Sequence, residues 1–209
     1  MAPSSRNAIL DGAGRAFGRL GYGACRVEDI IEEAGVSRAT FYKFFDGKEQ
    51  VFEAVDEAFS FSFMHAMGAA LDPEMDARDQ AEALLDAYLR WISGWRELAR
   101  TIWTDPTRPN AHTMRDARDE AFAAYIQVTR DLCNADGAPE VDELVYRGLL
   151  AAISEIGIWL TEKPRHSEKD LIRARAAIAH LVATVVTTPL LDPVPRSVSY
   201  VSRPVAKSK

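Results

Sequence analysis

The chain has 209 residues, 47% of them hydrophobic, and a net charge of −6, enough to bury one good-sized core or two small ones in a globular protein. Its two cysteines, Cys25 and Cys133, lie far apart with no second cysteine at metal-ligand spacing, so neither a disulfide framework nor a zinc site is suggested. The acidic balance weighs against a surface that binds polyanions all over. No segment approaches the apolar length that crosses a bilayer and MAPSSRNAIL has no secretory pattern, so a cytoplasmic protein without a membrane partner is expected.

The first periodic stretch, AILDGAGRAFGRL, is helical in spacing and is followed by a Gly21-Tyr22-Gly23 turn. Val27, Ile30, Ile31 and Ala34 then recur at helical spacing, and Gly35 stands where a left-handed residue ends a helix. Ser37 is a good N-cap for the next helix, read to Phe44, and Val36 is placed to pack on Phe41 as a hydrophobic staple. Two short helices joined by a turn of about three residues are the layout of a helix-turn-helix, the motif that sets a helix in a DNA groove. Phe41 and Phe44 point to one side of the second helix, and Phe45 joins them as core. Arg38, Ala39, Thr40, Tyr42 and Lys43 are left for the other faces, a mixture of cation, hydroxyl and small side chain suited to a groove. Asp46 is expected to cap a third helix with Glu49 reaching back to it, which places Lys48 in a first turn whose free amides attract phosphate.

From Arg6 to about Phe59, roughly a quarter of the chain, the sequence resembles the N-terminal DNA-binding domain of the TetR family of bacterial transcriptional regulators. AILDGAGRAFGRLGYGACRVEDI, AGVSRATFYKFF and the Lys48-Glu49 pair after Asp46-Gly47 carry the resemblance. It implies that Ser37, Tyr42 and Lys48 meet the DNA backbone and that Arg38, Ala39, Thr40 and Lys43 face bases or phosphates. Arg26 and Val27, at the start of the first helix of the pair, join this set. Arg26 departs from the family pattern, which has threonine or serine there, so a charged contact would replace a hydroxyl-to-phosphate one. The first sixty residues hold seven Lys/Arg against ten Asp/Glu, but Val36 to Lys48 holds three cations and one acid, while Glu28, Asp29, Glu32 and Glu33 gather on the supporting helix. Cys25 is a candidate redox switch near a DNA-proximal helix.

Downstream, Phe52, Val55, Phe59, Phe63 and Met67 stripe a helix to about Leu71, long enough to leave one domain and enter the next. Ala81 to Leu98 marks another, with a short extra turn before the Asp105-Pro106-Thr107-Arg108-Pro109 break. Further helices are expected over Met114 to Leu132, Val141 to Thr161 and Glu168 to Thr188, the last with Ser167 and Asp170 as a capping pair. The fold class is therefore all-α. An N-terminal three-helix DNA-binding domain, residues 3–62 with the helix-turn-helix at 25–44, is followed by a larger helical ligand-binding and dimerisation domain, residues 63–188. Residues 189–209, rich in proline, serine and cations, read as a flexible tail.

The resemblance implies that the last two helices dimerise as a four-helix bundle between subunits. Leu149, Ala152, Ile156, Ile178, Leu181, Val182 and Val185 are the interface candidates, with Gly148, Ala151 and Gly157 allowing close approach. The same faces could instead pack within one chain. Trp91, Trp95, Trp103, Phe122, Tyr125 and Trp159 are candidate lining for an apolar or aromatic effector, and equally at home in a core. The four histidines form no metal-ligand pair, and no phosphate loop or nucleophile motif occurs, so no cofactor, metal or enzymatic activity is expected. The expected function is a ligand-responsive homodimeric repressor that binds a palindromic double-stranded DNA operator and is released by a small molecule. The alternative is a helical interaction module that has lost DNA binding.

Overall fold

The computed structural model describes residues 4–109, 142–163 and 167–187. Among them every regular element is a helix: α1 Ser5–Leu20, α2 Val27–Ala34, α3 Arg38–Tyr42, α4 Lys48–Gly68, α5 Ala77–Gly94, α6 Arg96–Thr104, α7 Glu143–Glu162 and α8 Glu168–Thr187. The helix expected over Met114 to Leu132 and the tail lie outside the described residues.

Helices α1, α2 and α3 and the first half of α4 wrap around Ile9, Phe17, Ile30, Phe41, Val51 and Phe52, all fully buried. Each such side chain contributes about 1.5–3 kcal/mol by leaving water. The Phe17 and Phe52 rings meet edge to face at 5.0 Å, and Tyr22 closes the triangle at 5.8 Å from Phe17 and 4.8 Å from Phe52. Gly12 lets α1 touch α2: a methyl group there would stand 2.6–2.7 Å from the backbone and Cβ of Ala34.

Helix α4 runs unbroken through position 62, so the expected domain boundary falls inside one helix. Its start differs from expectation. Gly47, not Asp46, is the cap, and the Asp46 N–H donates to Gln50 Oε1 at 2.7 Å, leaving Glu49 in solvent. One residue of register decides this, because the reciprocal acceptor must sit three positions past the cap. At its far end the chain turns through Asp72-Pro73, and buried Gln80 secures the turn by donating to Ala70 O and accepting from the Asp72 N–H, both at 2.8 Å.

The helix expected to continue to Leu98 breaks at Trp95, where φ −107 and ψ 13 depart from helical values directly after Gly94, a poor helix former. Arg175 of α8 reaches Asp86 at 2.9 Å and Glu82 at 3.4 Å, fastening α8 to α5. Ser167 and Asp170 form the expected reciprocal cap, with the Ser167 N–H donating to Asp170 Oδ2 at 2.9 Å and the Asp170 N–H to Ser167 Oγ at 3.3 Å. Lys163 also binds Asp170, and these hydrogen bonds together hold its carboxyl well below the usual carboxylate range.

One expectation is corrected. Leu144–Glu162 is a 19-residue stretch of mean hydropathy 1.3, long and apolar enough by length and composition to cross a bilayer. The helix packs against α5, α6 and α8 and leaves Leu144, Gly148 and Ala151 exposed, with 33% of the stretch buried within the chain.

Candidate nucleic-acid interface

The α2–turn–α3 unit is fixed by its ends. Asp29 Oδ2 accepts the Arg26 N–H at 2.7 Å, while the Arg26 side chain, a donor only, caps nothing. At the other end Gly35 adopts φ 63, ψ 32, and the N–H groups of Gly35 and Val36 return to Glu32 O at 3.2 Å and Ile31 O at 3.3 Å. This is the Schellman pattern, whose left-handed residue favours glycine. Ser37 then caps α3, its Oγ accepting the Thr40 N–H at 3.1 Å and lying 2.8 Å from Thr40 Oγ1. Helix α3 is two residues shorter than expected, its α-helical part ending at Tyr42 and turning through Lys43 and Phe44.

Arg26, Ser37, Arg38, Ala39, Tyr42 and Lys43 are exposed, and Val27, Thr40 and Lys48 are half-buried, Val27 against the core. The cations are not free-standing. Arg38 Nη1 binds Glu28 Oε1 at 2.6 Å, Arg38 Nη2 lies 3.5 Å from the Tyr42 hydroxyl, and the guanidinium sits 5.4 Å from the Tyr42 ring centroid. A hydrogen bond from its own backbone, followed by the bond from Arg38, holds Glu28 below its ordinary pKa, and the bond to Glu28 raises that of Arg38. Across α2, Glu33 pairs with Arg19 at 2.8 Å and Arg15 at 3.3 Å. Two of the four acids gathered on the supporting helix are thus compensated by arginines.

Lys48 is anchored rather than extended, its Nζ donating to Tyr22 O at 2.8 Å and standing 4.2 Å from the Tyr22 ring centroid. The Tyr22 N–H in turn donates to Asp105 Oδ2 at 2.8 Å, so one residue links the start of α4 to the end of α6. The α1–α6 junction adds Thr101 Oγ1 to Phe17 O at 2.9 Å and Arg100 Nη2 to Gly18 O at 3.4 Å. The sequence places Glu28 only among the acids of α2 and Asp105 only in a chain break, without naming what either binds. Their partners lie 10 and 83 residues away, beyond any local spacing rule. Cys25 is 1% exposed, and burial, then Asp29, pushes its thiol up to about 11, the opposite of a reactive thiolate.

The effector candidates divide. Trp91, Trp95 and Trp103 surround Phe59, with centroids at 4.7, 6.0 and 6.1 Å, and the Trp91 Nε1–H donates to Ser62 Oγ at 2.9 Å. Trp159 is elsewhere, between Lys163 at 4.1 Å and Arg173 at 5.5 Å, and Phe122 and Tyr125 lie outside the described residues. Of the four tryptophans only Trp91 is buried core, while Trp103 and Trp159 are half-buried and Trp95 is exposed; Trp91 also edges an open cleft of about 350 Å³ lined by Ala66, Ala69, Ala70, Ala87 and Arg90. Of the interface candidates, Leu149 and Ile178 are buried within the chain, and Ala152, Ile156, Leu181 and Val182 are half-buried; the Val185 side chain lies outside the described residues. Gly157 is spent inside the chain, where a side chain would collide with Tyr88. The exposed apolar stripes are Leu144, Gly148 and Ala151 on α7 and Ile172, Ala176, Ala179 and Ala183 on α8.

Residues 9–55 match the family described as bacterial regulatory proteins, tetR family. An uncharacterized HTH-type transcriptional regulator of Mycobacterium tuberculosis is 26% identical over 185 residues, 86% of this chain and 84% of that protein. Among solved structures, a bacterial regulatory protein in the tetR family from Rhodococcus superposes with TM-score 0.71 at 20% identity, covering 90% of this chain and all of the other. The fatty acid degradation regulator FadR of Bacillus halodurans gives TM-score 0.69 at 16% identity, covering 89% and 96%.

Proposed function

From the premise that this chain belongs to the TetR family and is a DNA-binding transcriptional regulator, we propose that it is a homodimeric, ligand-released repressor acting in the cytoplasm. The observation that carries the reading is the capped α2–α3 unit with Arg38, Ala39, Tyr42 and Lys43 all outward. Residues 3–62 form the DNA-binding domain and 63–188 the regulatory and dimerisation domain, sharing α4. Two copies of α3 enter successive major grooves of a palindromic operator. Arg38 and Lys43 read base edges or phosphates, Ala39 contacts a thymine methyl, and Ser37, Thr40, Tyr42, Arg26 and Lys48 set the backbone register, with Val27 packed behind Arg26.

The subunits join through α7 and α8. The two exposed small-residue stripes support this, because they let helices approach closely and explain why one face of so apolar a helix as α7 is left uncovered in one chain. The interface therefore shifts from Leu149 and Ile178 to the outward positions beside Ala152, Ile156, Leu181 and Val182. An apolar or aromatic effector entering near the Trp91 cleft moves α6, which the Thr101, Arg100 and Asp105 bonds fasten to α1, and so changes the separation of the two α3 helices. Effector and operator then oppose each other by one coupling energy.

Binding assays on an operator selected from genomic fragments test this reading. Lys48→Ala should weaken binding to all sequences alike and lower the salt slope by about one; an unchanged slope removes Lys48 from the phosphate contacts. Arg38→Ala should cost about 1–3 kcal/mol and relax preference at one operator position; intact preference removes it from base reading. Sedimentation should give a dimer, and a monomer at micromolar concentration would refute the assembly.

A further inference from the structure

We propose that Glu28 is a specificity-determining positioning residue: its carboxylate holds Arg38 in one orientation on the exposed α2–α3 face and withholds it from phosphates, so that Arg38 discriminates a base. The inference rests on Arg38 being a base reader.

Arg38 is held from three directions, by Glu28 Oε1 at Nη1, by the Tyr42 hydroxyl at Nη2 and by the Tyr42 ring beneath it. A guanidinium has five N–H donors. Two are engaged here, and those that remain suffice for the paired contact to guanine O6 and N7. The side chains of Arg38 and Glu28 are 64% and 61% exposed, and an ion pair in that setting adds little to stability, so the fold itself does not require Glu28. A carboxylate beside a face that meets a polyanion lowers general affinity. What it provides in exchange is a neutralised, oriented guanidinium: an arginine already paired releases fewer counterions when it approaches a phosphate, while keeping its geometry for a base edge.

Glu28→Gln keeps the length and shape of the side chain and removes its charge. Binding is measured over a salt series on the selected operator, on its single-position substitutions and on mixed-sequence duplex, for this variant, for Arg38→Ala and for the double variant. With Glu28→Gln, affinity for mixed-sequence DNA should rise and its salt slope steepen by about one as Arg38 becomes free to neutralise a phosphate. The preference at the Arg38-dependent position should fall about tenfold. In the Arg38→Ala background the same change should do neither. Unchanged slope and preference would overturn the inference, as would an equal effect in the Arg38→Ala background, which would mean that Glu28 meets DNA directly. If Arg38→Ala alone leaves operator preference intact, the base-reading assignment fails and this inference with it. If Arg38→Ala alters preference and Glu28→Gln does not, only the inference fails.

Discussion

Asp105→Ala removes the carboxylate through which the end of α6 holds the turn after α1. Asp105 accepts hydrogen bonds from the Tyr22 N–H at 2.8 Å, the Thr107 N–H at 2.8 Å and Thr107 Oγ1 at 2.6 Å, and the Gly23 N–H also favours its carboxylate. The two from Thr107 form a local turn that the unfolded chain can make in part, so they add little to the difference between states. The bond to Tyr22 spans 83 residues and exists only when α1 and α6 are docked. A net hydrogen bond to a charged group is worth about 1.5–3 kcal/mol, and partial exposure places this one at the lower end, so the loss should be about 1–2 kcal/mol at pH 7. Partial burial opposes ionisation of Asp105, but the hydrogen bonds from Thr107, Tyr22 and Gly23 together outweigh it and hold the carboxyl below its ordinary pKa. For a depressed acid the stabilisation is complete above the unfolded value near 4 and is lost as pH falls through the lower folded value. Urea unfolding of the wild type and the variant at pH 7 and at stepped acid pH measures this. The gap between them should be widest at neutral pH and close on acidification, and the Tyr22 amide should exchange faster in the variant. Equal midpoints at pH 7, or a gap that widens in acid, would refute the assignment.

Two further changes probe the DNA-binding domain. Gly12→Ala drives a methyl group into the Ala34 backbone, so α1 and α2 must separate; overpacking of this kind costs about 1–3 kcal/mol, and a thermal midpoint equal to wild type would show that the helices are not in contact there. Cys25, buried and with its thiol raised to about 11, should resist an aromatic disulfide reagent at pH 8 in the folded protein and react on unfolding. Rapid modification of the native protein would restore it as a redox candidate.

Where the chain marks its own helix ends, sequence and structure agree. Gly35 and Ser37 close and open the recognition pair as their chemistry requires, and Ser167 and Asp170 cap α8 reciprocally. Local rules failed where two neighbours competed for one role: Gly47 displaced Asp46 as the α4 cap, and Gly94-Trp95 split a helix whose apolar spacing runs on without interruption. Periodicity also says which residues are apolar but not what covers them. The same pattern held Trp91 in packed core, Trp159 under two cations, and Leu149 and Ile178 inside the chain, while Leu144 and Ile172 remain 75% and 61% exposed. The long-range ties that connect the interface to the rest of the protein, Glu28 to Arg38, Lys48 to Tyr22 and Tyr22 to Asp105, depend on how helices pack and leave no trace in local spacing.

The central claim is that paired α2–α3 units recognise a two-fold operator. Fragments of the source genome bound by the purified full-length protein at near-physiological salt should be enriched for a common sequence, and hydroxyl-radical footprinting should show symmetric protection of two half-sites about one helical turn apart. Absence of enrichment by folded, dimeric protein, or protection without two-fold symmetry, would contradict it.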